Sequence, residues 1–268
     1  MFKKLVLLFL ALAAIAIPLY FYTTNSGFKL QNITWSEPLP IDWSRVNSSL
    51  PEGILQQPFQ MLGEGHQTYA FVSADGRTVL KFVKFGYMNS MSAEERDARL
   101  KRLFNGYLLA YQKDRENTGI IALHQADPQG SPLYVKVDNQ TINVTPLYFI
   151  LQKRGIPLRE VLNGNKQDAQ KILDQVLDLY ADEYRRGLYD SDHNVLYNIG
   201  FIEGKPYRLD AGRLKVLPEN HNRKVFIKLD LEKILTRMRK WIVKSLPDEQ
   251  QPHLLKHLQE RIDQIALQ

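Results

Sequence analysis

The sequence predicts an α+β fold in which a β-rich half precedes a helical half. Apolar residues alternate through Phe59–Phe85 around Asp75-Gly76, a typical hairpin signal. Apolar residues at helical spacing then indicate a long helix over Ser92–Glu116, where Ser92 and Glu95 have the spacing of a capping box. The predicted order is β-hairpin, helix, further strands, helix, polar hairpin and helices.

The later elements follow from the same patterns. The sequence predicts strands at Leu133–Val137, Ile142–Thr145 and Leu147–Gln152, and a second long helix at Lys166–Arg186. A basic amphipathic helix is expected at Leu231–Leu246. This helix either packs in the helical half with a solvated outer face or lies on anionic lipid.

Composition bounds the possible functions. The 268 residues are 44% hydrophobic, which is sufficient for a buried core, and they contain no cysteine. Disulfides, thiolate metal ligands and cysteine nucleophiles are therefore excluded. A net charge of +6 permits attraction to phosphate or to an anionic membrane. No cluster of aromatic and basic residues marks a nucleic-acid-binding face, so we expect no nucleic acid partner.

The N-terminus predicts a membrane anchor. Lys3 and Lys4 precede Leu5–Tyr22, an uncharged apolar run of 18 residues, close to the length of one bilayer crossing. An uncleaved anchor over residues 1–22 would keep the N-terminus in the cytoplasm and place the domain on the far side. The alternative is a secreted protein, with signal cleavage after Ala11-Leu12-Ala13 or Ala14-Ile15-Ala16.

The rest of the chain divides into a linker and two lobes. Residues 23–55 mix Asn, Ser, Pro and two Trp without clear periodicity, as a linker does. Residues 56–154 contain most of the predicted strands, and residues 155–268 contain most of the later helices.

Two features of the first hairpin suggest phosphate binding. The expected register places Lys81 opposite Ala70, so its ammonium lies among small apolar residues and needs an anionic partner, unless that sheet face is exposed. Gly63-Glu64-Gly65 ends the first strand, where glycines let backbone amides approach a phosphate, or where they form an ordinary turn.

The polar hairpin near the end of the sequence predicts a metal site. A three-residue turn Glu203-Gly204-Lys205 would pair Ile199 with Leu209 on an apolar face. The same register would place Asn198 opposite Asp210 on the other face. An amide oxygen and a carboxylate at that separation suit magnesium.

Asp190-Ser191-Asp192-His193-Asn194 begins like a calcium loop. Val195 and Phe201 then occupy positions where such a loop needs Gly and Glu, which argues against calcium. The remaining alternatives are a functional loop and carboxylates that only cap and solvate a turn.

In order, the segments LGEGHQTYAFVSADGRTVLKF, YFILQKRG, YDSDHNVLYN and LDAG resemble the protein-kinase-like fold over Phe59–Arg213. The likeness is to divergent bacterial and small-molecule kinases. It implies a bilobal fold with a small β-rich N-lobe and a reduced helical C-lobe, because no Ala-Pro-Glu motif follows. The complete expectation is this fold preceded by one transmembrane or signal helix.

The resemblance also implies roles for individual residues. Gly63 and Gly65 match the glycine-rich loop, Lys81 the phosphate-contacting lysine, and Leu151–Arg154 the hinge that contacts adenine. The helix from Ser92 should supply a glutamate partner for Lys81. Its acidic candidates are Glu94, Glu95, Asp97 and Glu116.

At the other end of the implied site, Asp192 matches the catalytic aspartate. Asn198 and Asp210 match the metal ligands, so the implied cofactors are ATP and Mg²⁺. Asp190 stands where the family usually has His or Tyr, and Asn198 follows Asp192 one residue later than usual. Either Asp190 or Asp192 is therefore the candidate catalytic residue.

Two functions follow from these expectations. One is a membrane-anchored phosphotransferase acting on an unknown protein or small-molecule acceptor. The other is a pseudokinase that binds a nucleotide or a protein without turnover. A domain outside the cytoplasm would meet little ATP, which favours the pseudokinase, whereas the retained site residues favour the enzyme.

Overall fold

A computed structural model describes residues 27–37, 39–41, 43, 49–219 and 222–267. The first half of the chain is a seven-stranded sheet formed by β1 (Phe59–Glu64), β2 (Thr68–Ser73), β3 (Thr78–Val83), β4 (Ile120–His124), β5 (Tyr134–Val137), β6 (Gln140–Asn143) and β7 (Phe149–Lys153). The spatial order is β4-β7-β3-β2-β1-β5-β6, with a single parallel contact between β1 and β5. The first hairpin thus continues into β7, and the β5–β6 hairpin extends the opposite edge.

The register of the β2–β3 hairpin is the expected one. Ala70 pairs with Lys81, and Val72 pairs with Val79. The connection is a four-residue loop, 74–77, rather than the two-residue turn that Asp75-Gly76 predicts. In this loop the Gly76 amide donates to the Ser73 carbonyl at 2.8 Å, and Gly76 has a positive φ of 72°. The longer loop leaves the pairing unchanged because it adds one residue to each side.

Two helices separate β3 from β4: α1 (Ala93–Lys113) and the single turn α2 (Arg115–Thr118). The predicted capping box of α1 is present, since the Glu95 amide donates to Ser92 Oγ at 3.2 Å and the Ser92 amide donates to Glu95 Oε2 at 3.4 Å. Strand β4 was not predicted. The buried apolar face of α1, which packs under the sheet, comprises Leu100, Leu103, Phe104, Tyr107 and Ala110.

The second half is mainly helical. Its core is formed by α4 (Ala169–Arg185), α6 (Arg223–Ser245) and α7 (Gln251–Leu267). The predicted apolar face of α6 is packed in this core, so this face is not available to lipid. The elements are β8 (Ile156–Pro157), α3 (Leu158–Gly164), α4 (Ala169–Arg185), β9 (Leu188–Asp190), α5 (Val195–Asn198), β10 (Ile199–Ile202), β11 (Lys205–Arg208), β12 (Leu214–Val216), α6 (Arg223–Ser245) and α7 (Gln251–Leu267).

The predicted register of the β10–β11 hairpin was wrong by one residue. Ile199 pairs with Arg208 rather than with Leu209. Glu203 and Gly204 both have positive φ, 50° and 78°, as a two-residue turn of the type common in hairpins requires, and Lys205 already belongs to the strand. Asn198 and Asp210 are therefore not a cross-strand pair.

Part of the predicted linker packs on the sheet half. Ile33 and Trp43 are buried, and the Trp43 indole donates to the Phe104 carbonyl at 3.2 Å. Within the described ranges, no helix is long and apolar enough to cross a membrane. The predicted anchor, residues 1–22, lies outside the described residues and stays a prediction, as do the domain boundaries.

Candidate functional site

A cavity of about 260 Å³ lies where β1–β3 face the start of the helical half. Its apolar wall includes Leu62, which is the extra residue of a bulge in β1, together with Ala70 and Val79. Lys81 and Leu209 line the same cavity. Lys153, Arg154 and Glu160 also line the cavity, which therefore combines apolar surface with several charged groups.

The Lys81 ammonium donates a hydrogen bond to the Leu209 carbonyl. Burial lowers the pKa of Lys81, and the negative charge of Asp210 opposes that change. The anionic neighbour is thus Asp210. Of the acidic residues expected to supply the partner, Glu94 and Asp97 are exposed, and the other two have other contacts. Glu95 caps its own helix, and Glu116 contacts Arg186.

Asp210 is held by α1. Its Oδ1 accepts hydrogen bonds from the Tyr107 hydroxyl at 3.3 Å and from the Gly212 amide at 3.0 Å. Burial and the adjacent Asp210 charge raise the pKa of Tyr107 well above its usual value, so the hydroxyl stays a donor. Gly106 allows this approach, because a Cβ there would lie 2.4 Å from the Ala211 carbonyl oxygen.

Asn198 connects Asp210 to Asp192. The Asn198 carbonyl accepts from the amides of Leu209 at 2.6 Å and Asp210 at 3.3 Å. Its side-chain Nδ2 donates to Asp192 Oδ2 at 3.1 Å. The two predicted metal ligands are therefore neighbours through the backbone of Asn198.

Asp190 has different surroundings from Asp192. Its carboxylate is buried, with Oδ2 2.6 Å from Arg208 Nη1 and Oδ1 accepting from the Asp192 amide at 2.9 Å. Burial raises the pKa of Asp190, and the Arg208 charge opposes that rise. Arg208 also contacts buried Glu183 through Nε at 2.7 Å and Nη2 at 2.5 Å. Asp190 thus anchors the loop that presents Asp192.

The remainder of this loop is also fixed. The Ser191 amide and hydroxyl donate to the Arg213 carbonyl at 3.2 and 3.1 Å. His193 has a positive φ of 59°, and its Nε2 lies 2.6 Å from Asp230 Oδ1. A strained non-glycine residue held by a buried carboxylate is typical of a functional loop.

The two predicted nucleotide-binding glycines lie at the β1–β2 connection. The Gly65 amide already donates to the Thr68 carbonyl at 2.9 Å, and Lys84 Nζ donates to the Gly65 carbonyl at 3.2 Å. A Cβ at Gly63 would meet nothing within 4 Å, so only Gly63 faces open space.

The expected hinge, Leu151–Arg154, lines the cavity in part. Two of its amides are occupied: Lys153 donates to the Gly119 carbonyl at 2.9 Å, and Arg154 to the Arg77 carbonyl at 2.8 Å. An adenine edge would therefore not be recognised by those two amides in this conformation.

The residues present fit a magnesium ion. No group of three or more His, Cys, Asp or Glu side chains suited to a metal occurs in the part of the chain that the structure describes. Magnesium, however, is usually bound by one or two protein oxygens together with water and substrate phosphates. The Asp210 carboxylate and the Asn198 amide oxygen provide such a pair, since Asn198 uses its amide nitrogen for Asp192.

Several important residues were missed from the sequence: Tyr107, Gly106, Arg208 and Glu183. Only Gly106 carried a signal, because a glycine inside a predicted helix often marks close packing. Nothing in the pattern around Arg208 indicates a buried cation.

No protein-family model matches the sequence, and no curated protein matches it. Among solved structures, the bifunctional kinase-methyltransferase WbdD is 15% identical, with a TM-score of 0.41 over 75% of this chain and 43% of that chain. The ROP18 kinase domain in complex with AMP-PNP and sucrose is 14% identical, with a TM-score of 0.45 over 78% of this chain and 76% of that chain. The chain thus spans less than half the length of WbdD. At this identity and TM-score the likeness supports no conclusion about function. The function has to be inferred from the geometry of the site in this chain.

Proposed function

We propose that the chain is a kinase-like phosphotransferase that binds ATP with Mg²⁺ and transfers the γ-phosphoryl group to a hydroxyl of an acceptor. The observation that carries this proposal is the hydrogen bond between Asn198 and Asp192, made by the residue whose carbonyl also holds the Asp210 amide. Lys81 lies beside the same segment, on the Leu209 carbonyl. These side-chain types in this arrangement are those that phosphoryl transfer uses.

Each residue has a role in this proposal. Lys81 would contact the nucleotide phosphates, with Gly63 and Gly65 in the turn above them. Asp210 and Asn198 would hold the magnesium ion, which neutralises phosphate charge when it is bound. Tyr107 would orient the Asp210 carboxylate from α1.

Asp192 would act on the acceptor. Its carboxylate takes the proton of the acceptor hydroxyl while the acceptor oxygen forms a bond to the γ-phosphorus. The bond from the γ-phosphorus to the β–γ bridging oxygen breaks, and ADP leaves with that electron pair. Asp190 is not suited to this step, because its carboxylate is buried against Arg208.

A second candidate function, a pseudokinase, also has specific support. The Lys81 ammonium already donates to a backbone carbonyl, and the Gly65 amide is engaged within its own turn. A cleft in this state would bind a nucleotide or a protein partner without turnover.

The membrane anchor belongs to the proposal as well. Residues 1–22 would hold the domain on the far side of the membrane, and signal cleavage is the alternative. A C-terminal reporter enzyme that is active only in the cytoplasm tests this topology, because its activity would contradict the assigned orientation.

The test of the nucleotide site is thermal unfolding of the full-length protein with and without MgATP. Ligand at about a hundred times its dissociation constant adds about 2.7 kcal/mol, which raises the midpoint by about 5–10 °C. We expect this rise to require magnesium and to be lost in Asp210→Ala. The matched control is Asp97→Ala, an exposed aspartate of α1.

The outcomes separate the two functions. A magnesium-dependent rise with slow release of phosphate from ATP, lost in Asp192→Asn, supports the phosphotransferase. A rise without any phosphate release supports the pseudokinase. An unfolding midpoint of the wild-type protein that MgATP does not raise would contradict the nucleotide site itself.

A further inference from the structure

The side chains of His66 and Arg99, from different parts of the sheet half, meet at Tyr87. Tyr87 lies in the short 3₁₀ turn Gly86–Met88, and its ring centre is 4.8 Å from the ring centre of His66 in the β1–β2 turn. The Arg99 guanidinium of α1 lies 5.9 Å from the centre of the Tyr87 ring. Arg99 Nη1 is also 3.4 Å from His66 Nε2.

Two further arginines belong to the same place. Arg102 is one helical turn beyond Arg99 and so shares its side of α1. Arg213 follows Gly212, which packs so closely on α1 that a Cβ there would be 2.7 Å from Leu103 Cδ1. The charges of all three arginines oppose the rise in the pKa of Tyr87 that burial causes.

Nothing in the described part of the chain neutralises these charges. Arg96, Arg186, Arg208 and Arg261 each contact a carboxylate. Arg99, Arg102 and Arg213 form no ion pair with any described residue, although Arg99 and Arg213 are half-buried. The Tyr87 hydroxyl is buried beside the Arg99 guanidinium. Three neighbouring cations without a carboxylate partner among the described residues favour a bound anion.

The position of this cluster relates it to phosphoryl transfer. The Arg213 carbonyl accepts from both Ser191 donors, one residue before Asp192, and Arg213 follows Asp210-Ala211-Gly212 in sequence. The cluster is separate from the cavity lined by Lys81, none of whose lining residues belongs to it. The cluster is thus connected to the segments that carry Asp192 and Asp210, and it lies outside the proposed nucleotide cavity.

We propose that Arg99, Arg102 and Arg213, which lie around Tyr87, bind a phosphomonoester group of the acceptor. Guanidinium groups match phosphate oxygens in geometry as well as in charge, which favours a phosphate over a neutral hydroxyl compound. This inference rests on the proposed function, since it names the acceptor class of the same site.

The experiment measures binding to the full-length protein in the presence of a saturating non-hydrolysable ATP analogue. The probes are glycerol 3-phosphate and glycerol, which differ only in the phosphate, followed in calorimetry. Glycerol 3-phosphate should bind and glycerol should not. Arg99→Gln, Arg102→Gln and Arg213→Gln should each weaken binding by about tenfold or more. The control Arg239→Gln removes one exposed positive charge on α6 and should leave binding unchanged.

Two results would overturn the inference. Wild-type affinity in the three cluster variants would show that the anion binds elsewhere, and displacement of glycerol 3-phosphate by the ATP analogue would assign the arginines to the nucleotide. Unfolding midpoints equal to that of Arg239→Gln confirm that the variants are folded. Arginine-dependent phosphate binding without any nucleotide binding would overturn the proposed function alone.

A second probe distinguishes a lipid from a soluble acceptor. Short-chain phosphatidic acid has the same glycerol 3-phosphate group, with acyl chains on the two remaining hydroxyls. Tighter binding than glycerol 3-phosphate supports the site and assigns the phosphate to a lipid headgroup. Equal or weaker binding, still dependent on Arg99, supports the site with a soluble acceptor.

Discussion

Arg208 and Asp190 form an ion pair that is closed to solvent, with Nη1 and Oδ2 2.6 Å apart and side chains 0% and 1% exposed. The same guanidinium contacts Glu183 through two more hydrogen bonds. The guanidinium of Arg208, the last residue of β11, thus joins α4 to the loop that presents Asp192. Since β11 leads directly to Asp210, this cluster sets the relative position of the two functional carboxylates.

Replacing Arg208 should therefore lower the stability of the protein. Arg208→Met leaves two buried carboxylates without a cation, which should cost about 3–5 kcal/mol of unfolding free energy. Urea denaturation measures the loss. Arg239→Met, an exposed arginine on α6, is the control, and an equal effect of the two changes would contradict a structural role for the cluster.

Asparagine variants at Asp190 and Asp192 should fail in different ways. Asp192→Asn should lower phosphate release from ATP by about a hundredfold or more, with unfolding free energy within about 1 kcal/mol of wild type. Asp190→Asn should instead lose about 3 kcal/mol of stability, because Arg208 loses a charged partner. Lost activity with unchanged stability in Asp190→Asn would reverse the assignment.

Sequence patterns could predict the first hairpin because its burial follows the ordinary rules. Alternating apolar residues around Asp75-Gly76 place Lys81 opposite Ala70, and the structure has that pairing. The β10–β11 hairpin breaks those rules, because Arg208 is fully buried where a charged residue is expected to face solvent. The apolar pairing of Ile199 with Leu209 was therefore plausible but wrong.

The surroundings of Lys81 were unpredictable for a related reason. A glutamate was expected on α1, but that helix instead presents the Tyr107 hydroxyl and Gly106, where the absence of a side chain allows close packing. Both act on Asp210, more than a hundred residues later in the sequence. Local patterns indicate which face of a helix is buried, and they do not indicate which loop will pack on it.

The pH dependence of stability should reveal the raised pKa of Asp114. Burial, and then the charge of Glu183, raise the pKa of Asp114 from 3.8 to about 7. Between these values the folded state holds a proton that the unfolded state has released, so stability falls as pH rises and the loss is complete above about pH 7.

Asp114→Asn removes this titration. Relative to wild type, the variant should gain stability between about pH 5 and about pH 8, on the order of 2–4 kcal/mol. Urea denaturation at both pH values measures the difference. If the difference in unfolding free energy between wild type and variant is the same at both pH values, the raised pKa is contradicted.

Tyr107→Phe should weaken nucleotide binding without unfolding the protein. The variant loses the hydrogen bond to Asp210 Oδ1, and we expect magnesium-dependent nucleotide affinity to fall by about three- to tenfold. Calorimetric titration with MgATP measures the change. Tyr111→Phe is the matched control on the same helix, since the Tyr111 ring is half-buried against Arg115. Equal affinity in the two variants would contradict a positioning role for Tyr107.

Gly106→Ala should disturb the same loop by steric means. The added Cβ would lie 2.4 Å from the Ala211 carbonyl oxygen and 2.7 Å from the Gly212 carbonyl carbon, and both are backbone atoms that cannot rotate away. Overpacking of this kind costs about 1–3 kcal/mol, and relief by moving the loop would displace Asp210. We therefore expect lower stability together with lost magnesium-dependent nucleotide binding. Gly164→Ala is the control, because a Cβ at that helical position meets nothing within 4 Å. Wild-type nucleotide affinity in Gly106→Ala would show that the position of Asp210 does not depend on its contact with α1.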